Sequence, residues 1–304
     1  MSPPDHLRKG TNVNVVHSLI AGSVSGLVAR IMTAPLDTIK IRLQITPSIG
    51  LIQTMQDLVR KEGMRSFWKG NVPGSIMYVM YGGCQFGSYS VYNEWMTPLG
   101  LSGQLHSLVA GMMSGLTSSF ISYPFDTLRT RFVANRGLQF APFRQACLEI
   151  WEYEGLKGFY GGCSASLLSL TLATGIMFST YESIKIYSEG KSYGEDKNKE
   201  TSMLSSSAST ISAITSKTLT FPIDTVRRRI QLQDSIHIDK YFLKDTNVGL
   251  YKRYQAANSI VMIPILMIKY EGIYSLYKGL PVALCKSIPT TVLSLWAYER
   301  IMNV

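Results

Sequence analysis

The chain has 304 residues, 46% apolar and only 16% charged, with a formal charge of +10. Soluble domains carry roughly 25% charged residues, so this chain is short of charge for a cytosolic enzyme and too apolar for a disordered protein. Its 4 cysteines include no C-x-x-C pair, which excludes a disulfide scaffold or a zinc site and makes them small buried hydrophobes.

A tail over 1–13, with two bases, one acid and two prolines, is poor in charge for an organellar leader. Six apolar stretches follow, at 14–36, 71–92, 105–125, 163–181, 201–223 and 281–298. Their only fixed charges are Arg30, Lys217 and Lys286. Each has about the length that an α-helix needs to cross a bilayer core. All are dotted with Gly, Ser and Thr, which holds the mean hydropathy at +0.10 and suits helices with one side on a polar cavity. The first lacks the compact apolar region and cleavage site of a signal peptide. Of the 30 Lys and Arg residues, 20 lie in the segments 36–71, 125–162 and 223–280. The positive-inside tendency places these segments on one side of a membrane. Bases that alternate with spans are not the solvated basic face of a nucleic-acid-binding protein.

The chain repeats itself. Pro35-Leu-Asp37-Thr-Ile-Lys40-Ile-Arg42, Pro124-Phe-Asp126-Thr-Leu-Arg129-Thr-Arg131 and Pro222-Ile-Asp224-Thr-Val-Arg227-Arg-Arg229 share the pattern P-x-D-x-x-[KR]-x-[KR]. Each is followed by a second motif: Glu62-Gly63 before Trp68-Lys69-Gly70, Glu154-Gly155 before Tyr160-Gly161-Gly162, and Glu271-Gly272 before Tyr277-Lys278-Gly279. Three units result, over 14–103, 104–200 and 201–304, the last with a long loop at about 232–255. A proline disrupts a helix by clashing with the preceding turn and removing a donor. Three residues apart, acid and base share a helix face. Three such helices around an axis pair Asp37 with Arg129, Asp126 with Arg227, and Asp224 with Lys40. Small residues at Gly22/Gly26, Gly111/Gly115 and Ser209/Ala213 permit close helix packing.

From about Val15 to Glu299 these motifs resemble the mitochondrial carrier family. The resemblance implies an all-α membrane protein with six transmembrane helices in three pseudo-symmetric two-helix repeats, and a short matrix-side helix in each repeat. It implies a monomer in the mitochondrial inner membrane, among lipids such as cardiolipin, with both termini toward the intermembrane space. It further implies alternating access between two salt-bridge gates. The matrix gate is Asp37, Lys40, Asp126, Arg129, Asp224 and Arg227, braced by Gln44 and Gln231, with Val133 departing from the pattern in repeat two. The family's cytoplasmic gate, [FY]-[DE]-x-x-[KR], is complete only at Tyr181, Glu182 and Lys185. Repeat three keeps Tyr298 and Glu299 but has Met302, and repeat one reads Tyr89, Ser90 and Asn93. That gate is therefore expected to be weak.

Repeat symmetry also locates a cavity. Met77, Ser169 and Lys286 stand seven residues after the repeated glycines, and Arg30, Ser119 and Lys217 five residues before the motif prolines. The family places its substrate contacts at the first of these rings. Three bases with no carboxylate in the apolar stretches point to a di- or polyphosphate, and Lys286 has no evident structural partner. Met77 and Leu170 offer apolar contact, and Tyr78 and Tyr81 offer stacking for a heteroaromatic ring. Short strings at 7–10, 66–71, 129–131 and 286–291 resemble the fungal branch of the family that carries thiamine pyrophosphate. This implies exchange of that compound for nucleotides or thiamine monophosphate. A carrier of adenine nucleotides or coenzyme A satisfies the same charge logic. His6, His17, His106 and His237 form no catalytic set, and no phosphate-binding or dinucleotide fingerprint occurs. Neither an enzyme nor a cofactor or metal site is expected.

Overall fold

The computed structural model describes residues 15–46, 50–100, 103–135, 142–191, 199–233 and 260–302. The expected tail, nearly all of the long loop, His6 and His237 lie outside these residues. In chain order the helices are α1 (Val15–Ile45), α2 (Leu51–Asp57), α3 (Asn71–Met96), α4 (Gly103–Ala134), α5 (Phe143–Tyr153), α6 (Gly155–Phe159), α7 (Cys163–Lys191), α8 (Lys199–Ile230), α9 (Met262–Glu271) and α10 (Leu280–Met302). No strand occurs among the described residues. The long helices α1, α3, α4, α7, α8 and α10 pack in that order into a closed ring, with α10 returning to α1.

The polarity of this ring is inverted relative to a soluble protein. Ser114, Ser118, Thr130 and Ser212 are fully buried, whereas Phe86, Trp95 and Ile288 are at least 70% exposed. A surface of that kind suits lipid rather than water. The buried hydroxyls bond carbonyls of their own helices, as Ser118 does to Ser114 at 2.6 Å and Ser122 to Ser118 at 2.7 Å, so they need no solvent. By composition alone, only 155–187 and 273–301 among the described residues are apolar enough to be read as spans. The others carry cavity-facing polar residues that dilute the signal. Of the cysteines only Cys163 is buried, Cys84 and Cys147 are half-buried and Cys285 is exposed, contrary to the expectation that all are interior. A thiol is apolar enough to sit on such an outer face.

The helices run through Pro35, Pro124 and Pro222 rather than ending at them. Their C-terminal ends converge below the prolines, where Ile41, Ile45, Val133, Ala134 and Leu232 form one apolar cluster. Each following long helix starts on a glycine with positive φ: 73° at Gly70, 76° at Gly162 and 89° at Gly279. Glycine adopts this conformation without steric cost, and the missing side chain also matters. A Cβ would come within 2.8 Å of the Arg129 carbonyl oxygen at Gly70, 3.2 Å of Ile230 at Gly162 and 3.2 Å of the Lys40 carbonyl oxygen at Gly279. The start of α3, α7 and α10 thus rests directly on α4, α8 and α1.

Candidate functional site

The repeated motifs first build each repeat internally. The threonine after each motif Asp donates to a carbonyl of the segment preceding the next long helix: Thr38 to Phe67 at 2.7 Å, Thr127 to Phe159 at 2.8 Å and Thr225 to Leu276 at 2.8 Å. The second motif base meets the Glu of the second motif. Arg42 Nη2 lies 2.8 Å from Glu62 Oε1, Arg131 grips both oxygens of Glu154 at 2.7 and 2.6 Å, and Arg229 grips both oxygens of Glu271. Glu62 also takes Lys69 at 2.5 Å. Burial nevertheless holds the Lys69 ammonium below its ordinary value, as it does that of Lys278 near Glu271. These clamps use residues that stand in both sequence motifs. Their signal in the chain is the co-occurrence of a second base and a Glu in every repeat.

Above the clamps the first motif bases and the acids form a ring. Asp37 meets Arg129 of α4 at 2.6 Å, and Asp126 meets Arg227 of α8. Asp126 also takes Arg228 at 2.9 Å and the Gln231 amide at 2.8 Å. The third expected pair is not formed. Asp224 is instead held by Lys217 of its own helix at 2.5 Å and by Ser169 of α7 at 2.8 Å. Lys40 lies 5.5 Å over the Phe221 ring. The reason is reach: Lys217 sits seven residues, or two turns, before Asp224 on nearly the same face, and it arrives without crossing between helices. Gln231 contacts an ionic pair, but Gln44 does not. Its amide donates to Thr225 Oγ1 at 3.4 Å, and its Oε1 is buried without a partner.

A cavity of about 410 Å³ lies on this ring. It brings together Met77, Tyr81, Ser119, Ser169, Leu170 and Lys217, with Lys40, Arg129, Arg227 and Arg228 as further bases and Asp126 and Asp224 as its acids. Three expected contacts are placed elsewhere. Lys286 is not partnerless, because its Nζ bonds Asp37 at 2.5 Å. Arg30 is buried against α3, where its Nη2 would lie 2.0 Å from a Cβ on Gly74, and its Nε has no partner. Tyr78 turns its hydroxyl onto Gly26 of α1 and does not line the cavity. Arg30 and Lys217, equivalent by repeat, are thus not equivalent in contact, because the small residue opposite Arg30 gives it another seat.

At the far ends of α7 and α10, Glu182, Lys185 and Tyr298 are half-buried, and Tyr181 and Glu299 are exposed. Among the described residues neither Glu182 nor Glu299 makes an ion pair. Asn93, which stands where a gate base is absent in repeat one, bonds His106 at 2.9 Å. No group of residues suited to a metal ion occurs among the described residues.

A pseudo-threefold helical ring, apolar outside and basic within, closed at one end by ion pairs and apolar side chains, defines a membrane carrier of solutes. The chain belongs to the mitochondrial carrier protein family, which matches it over residues 11–99, 102–192 and 198–304. It is 48% identical to "Mitochondrial thiamine pyrophosphate carrier 1" of Saccharomyces cerevisiae over 98% of this chain and 97% of that one. It is 47% identical to the Candida glabrata protein of that name, over 100% and 99% of the two chains, and 44% identical to that of Eremothecium gossypii, over 100% and 94%.

Proposed function

We propose that the chain exchanges thiamine pyrophosphate across the mitochondrial inner membrane by alternating access. The carrying observation is the cavity wall, where five bases, Lys40, Arg129, Lys217, Arg227 and Arg228, meet two acids, with Tyr81, Met77 and Leu170 nearby. That composition fits a compound with a diphosphate at one end and an aromatic ring at the other. The relatives' names supply the particular compound. A volume of about 410 Å³ lies in the range of small-molecule sites.

In this reading Asp37–Arg129 and Asp126–Arg227 close the matrix side while the cavity faces the intermembrane space, and Gln231 braces the second pair. Tyr181, Glu182, Lys185, Tyr298 and Glu299 form the opposite gate in the other state. Both termini face the intermembrane space, which the shared side of the basic segments supports. The monomer works surrounded by inner-membrane lipid. Reconstitution into liposomes tests the proposal. Uptake of labelled thiamine pyrophosphate should saturate, require internal thiamine pyrophosphate or nucleotide, and accompany thermal stabilisation of the purified protein by thiamine pyrophosphate. Stabilisation by ADP or coenzyme A in its absence would move the substrate to those compounds. Unsaturable flux without a counter-substrate would make the protein a channel.

A further inference from the structure

We propose that Lys40 is a binding residue for the substrate's terminal phosphate rather than a gate partner, and that Lys217 takes its place on Asp224. This inference rests on the reading of the cavity as a phosphate-binding site. Asp37 and Asp126 each receive a base from the neighbouring repeat. Asp224 receives none from α1, because Lys217 at 2.5 Å and Ser169 at 2.8 Å occupy it. Lys40 therefore lines the cavity with no carboxylate in ion-pair reach among the described residues, and its ammonium rests over the Phe221 ring.

The substitution is available to repeat three alone. Seven residues before the motif Asp, repeat two has Ser119, which is too short. Repeat one has Arg30, which packs against Gly74 instead. Gln44 makes no bond to either member of the missing pair, whereas Gln231 bonds Asp126 directly. At the seam between α8 and α1, Lys217 takes Asp224 from its own helix and leaves Lys40 on the cavity wall as a base outside ion-pair reach of that acid. A phosphate seated between Lys40 and Lys217 neutralises both ammonium groups. It also competes with Asp224 for Lys217, so occupancy of this subsite loosens a contact at the closed end of the cavity.

The test uses the full chain and the variants Lys40→Met, Lys217→Met and Asp224→Asn. Each is melted without ligand and then with thiamine pyrophosphate, thiamine monophosphate and inorganic pyrophosphate. Without ligand, Lys40→Met should melt as the wild type does, while Lys217→Met and Asp224→Asn each melt lower. The variant combining those two should lose less than the sum of its parts, as for any coupled pair. With ligand, Lys40→Met should weaken thiamine pyrophosphate and inorganic pyrophosphate about tenfold, the scale of one charge-assisted contact. Thiamine monophosphate, lacking the terminal phosphate, should weaken much less. The inference is overturned if Lys40→Met lowers the ligand-free melting point as Asp224→Asn does, or if all three ligands are bound as well as by the wild type. Stabilisation of the wild type by inorganic pyrophosphate alone, lost in Lys40→Met, would overturn thiamine pyrophosphate as substrate and leave the subsite standing. No stabilisation of the wild type by any of the three overturns both.

Discussion

The surroundings of Asp126 and Asp224 differ more than their identical motifs suggest. Asp126 is tied across α4 and α8 by Arg227, Arg228 and the Gln231 amide, and Gln231 Oε1 in turn accepts from Thr130 at 2.7 Å and Arg228 at 3.0 Å. Asp224 has one donor from its own helix and one from α7. The α8–α1 seam is spanned instead by uncharged acceptors, with Arg229 Nε donating to the Gln44 carbonyl at 3.1 Å and Gln44 to Thr225. Repetition therefore fixes where ionisable groups stand, while their bonds follow from which donor reaches each acid at least cost. Asp37 lies between the extremes, with Arg129 crossing from α4 and Lys286 from α10.

The comparison breaks most visibly if the acids are removed. Asp126→Asn strands two guanidinium groups that are largely buried, with side chains 18% and 12% exposed. Leaving a buried charge unpaired costs about 3–5 kcal/mol, which thermal or denaturant unfolding in detergent should read. Asp224→Asn should cost clearly less, because the Lys217 side chain is 39% exposed and can turn to water. Equal losses would mean that the two sites are energetically alike despite their contacts.

A smaller effect sharpens the contrast between this ring and the clamps beneath it. Glu154→Gln and Glu271→Gln each strand one buried guanidinium rather than two, with the Arg131 and Arg229 side chains 9% and 5% exposed, and should each cost about 3 kcal/mol, the low end for an unpaired buried charge. Glu62→Gln should cost the most of the three, since it also releases Lys69. A scatter among the three as wide as that between Asp126 and Asp224 would show that the clamps are no more symmetric than the ring. Smallest is the pair of braces. Gln231→Ala should lower stability by about 1–3 kcal/mol, because buried donors and an acceptor lose their partner. Gln44→Ala removes one long contact and should fall below that in the same unfolding assay.

Much of this architecture is legible in the amino-acid sequence. Two motifs recurring three times define the repeats and the helical class, and they supply the Asp37–Arg129 and Asp126–Arg227 pairs. What escapes a reading of the chain is distance through space. The spacing from Lys217 to Asp224 puts both on one face, but only the folded helix shows that this contact outcompetes Lys40. Lys286 and Asp37 are 249 residues apart, so their meeting depends on α10 closing the ring beside α1. The seat of Arg30 depends on Gly74, whose missing side chain carries no charge or motif to announce it. The Arg–Glu clamps are within reach of sequence reasoning, since both partners recur in every repeat.

The glycines at the start of α3, α7 and α10 have a mechanical consequence. Within a repeat, threonine hydrogen bonds and Arg–Glu clamps fasten each motif helix to the segment that follows it, and any internal rearrangement must break directional bonds. Between repeats, the helix starts bear on Arg129, Ile230 and Lys40 through van der Waals contact alone at these points. They are bearing surfaces rather than fasteners: the glycine contacts themselves hold no bond, and resistance to turning lies in the ion pairs above and in the few hydrogen bonds that cross beside them, from Lys69 to the Asn135 carbonyl, Arg131 to the Gln231 carbonyl and Arg229 to the Gln44 carbonyl. A side chain grafted onto Gly70 would act as grit in that bearing and, in the alternating access proposed above, would stiffen the joint beside Arg129, which that motion would part from Asp37.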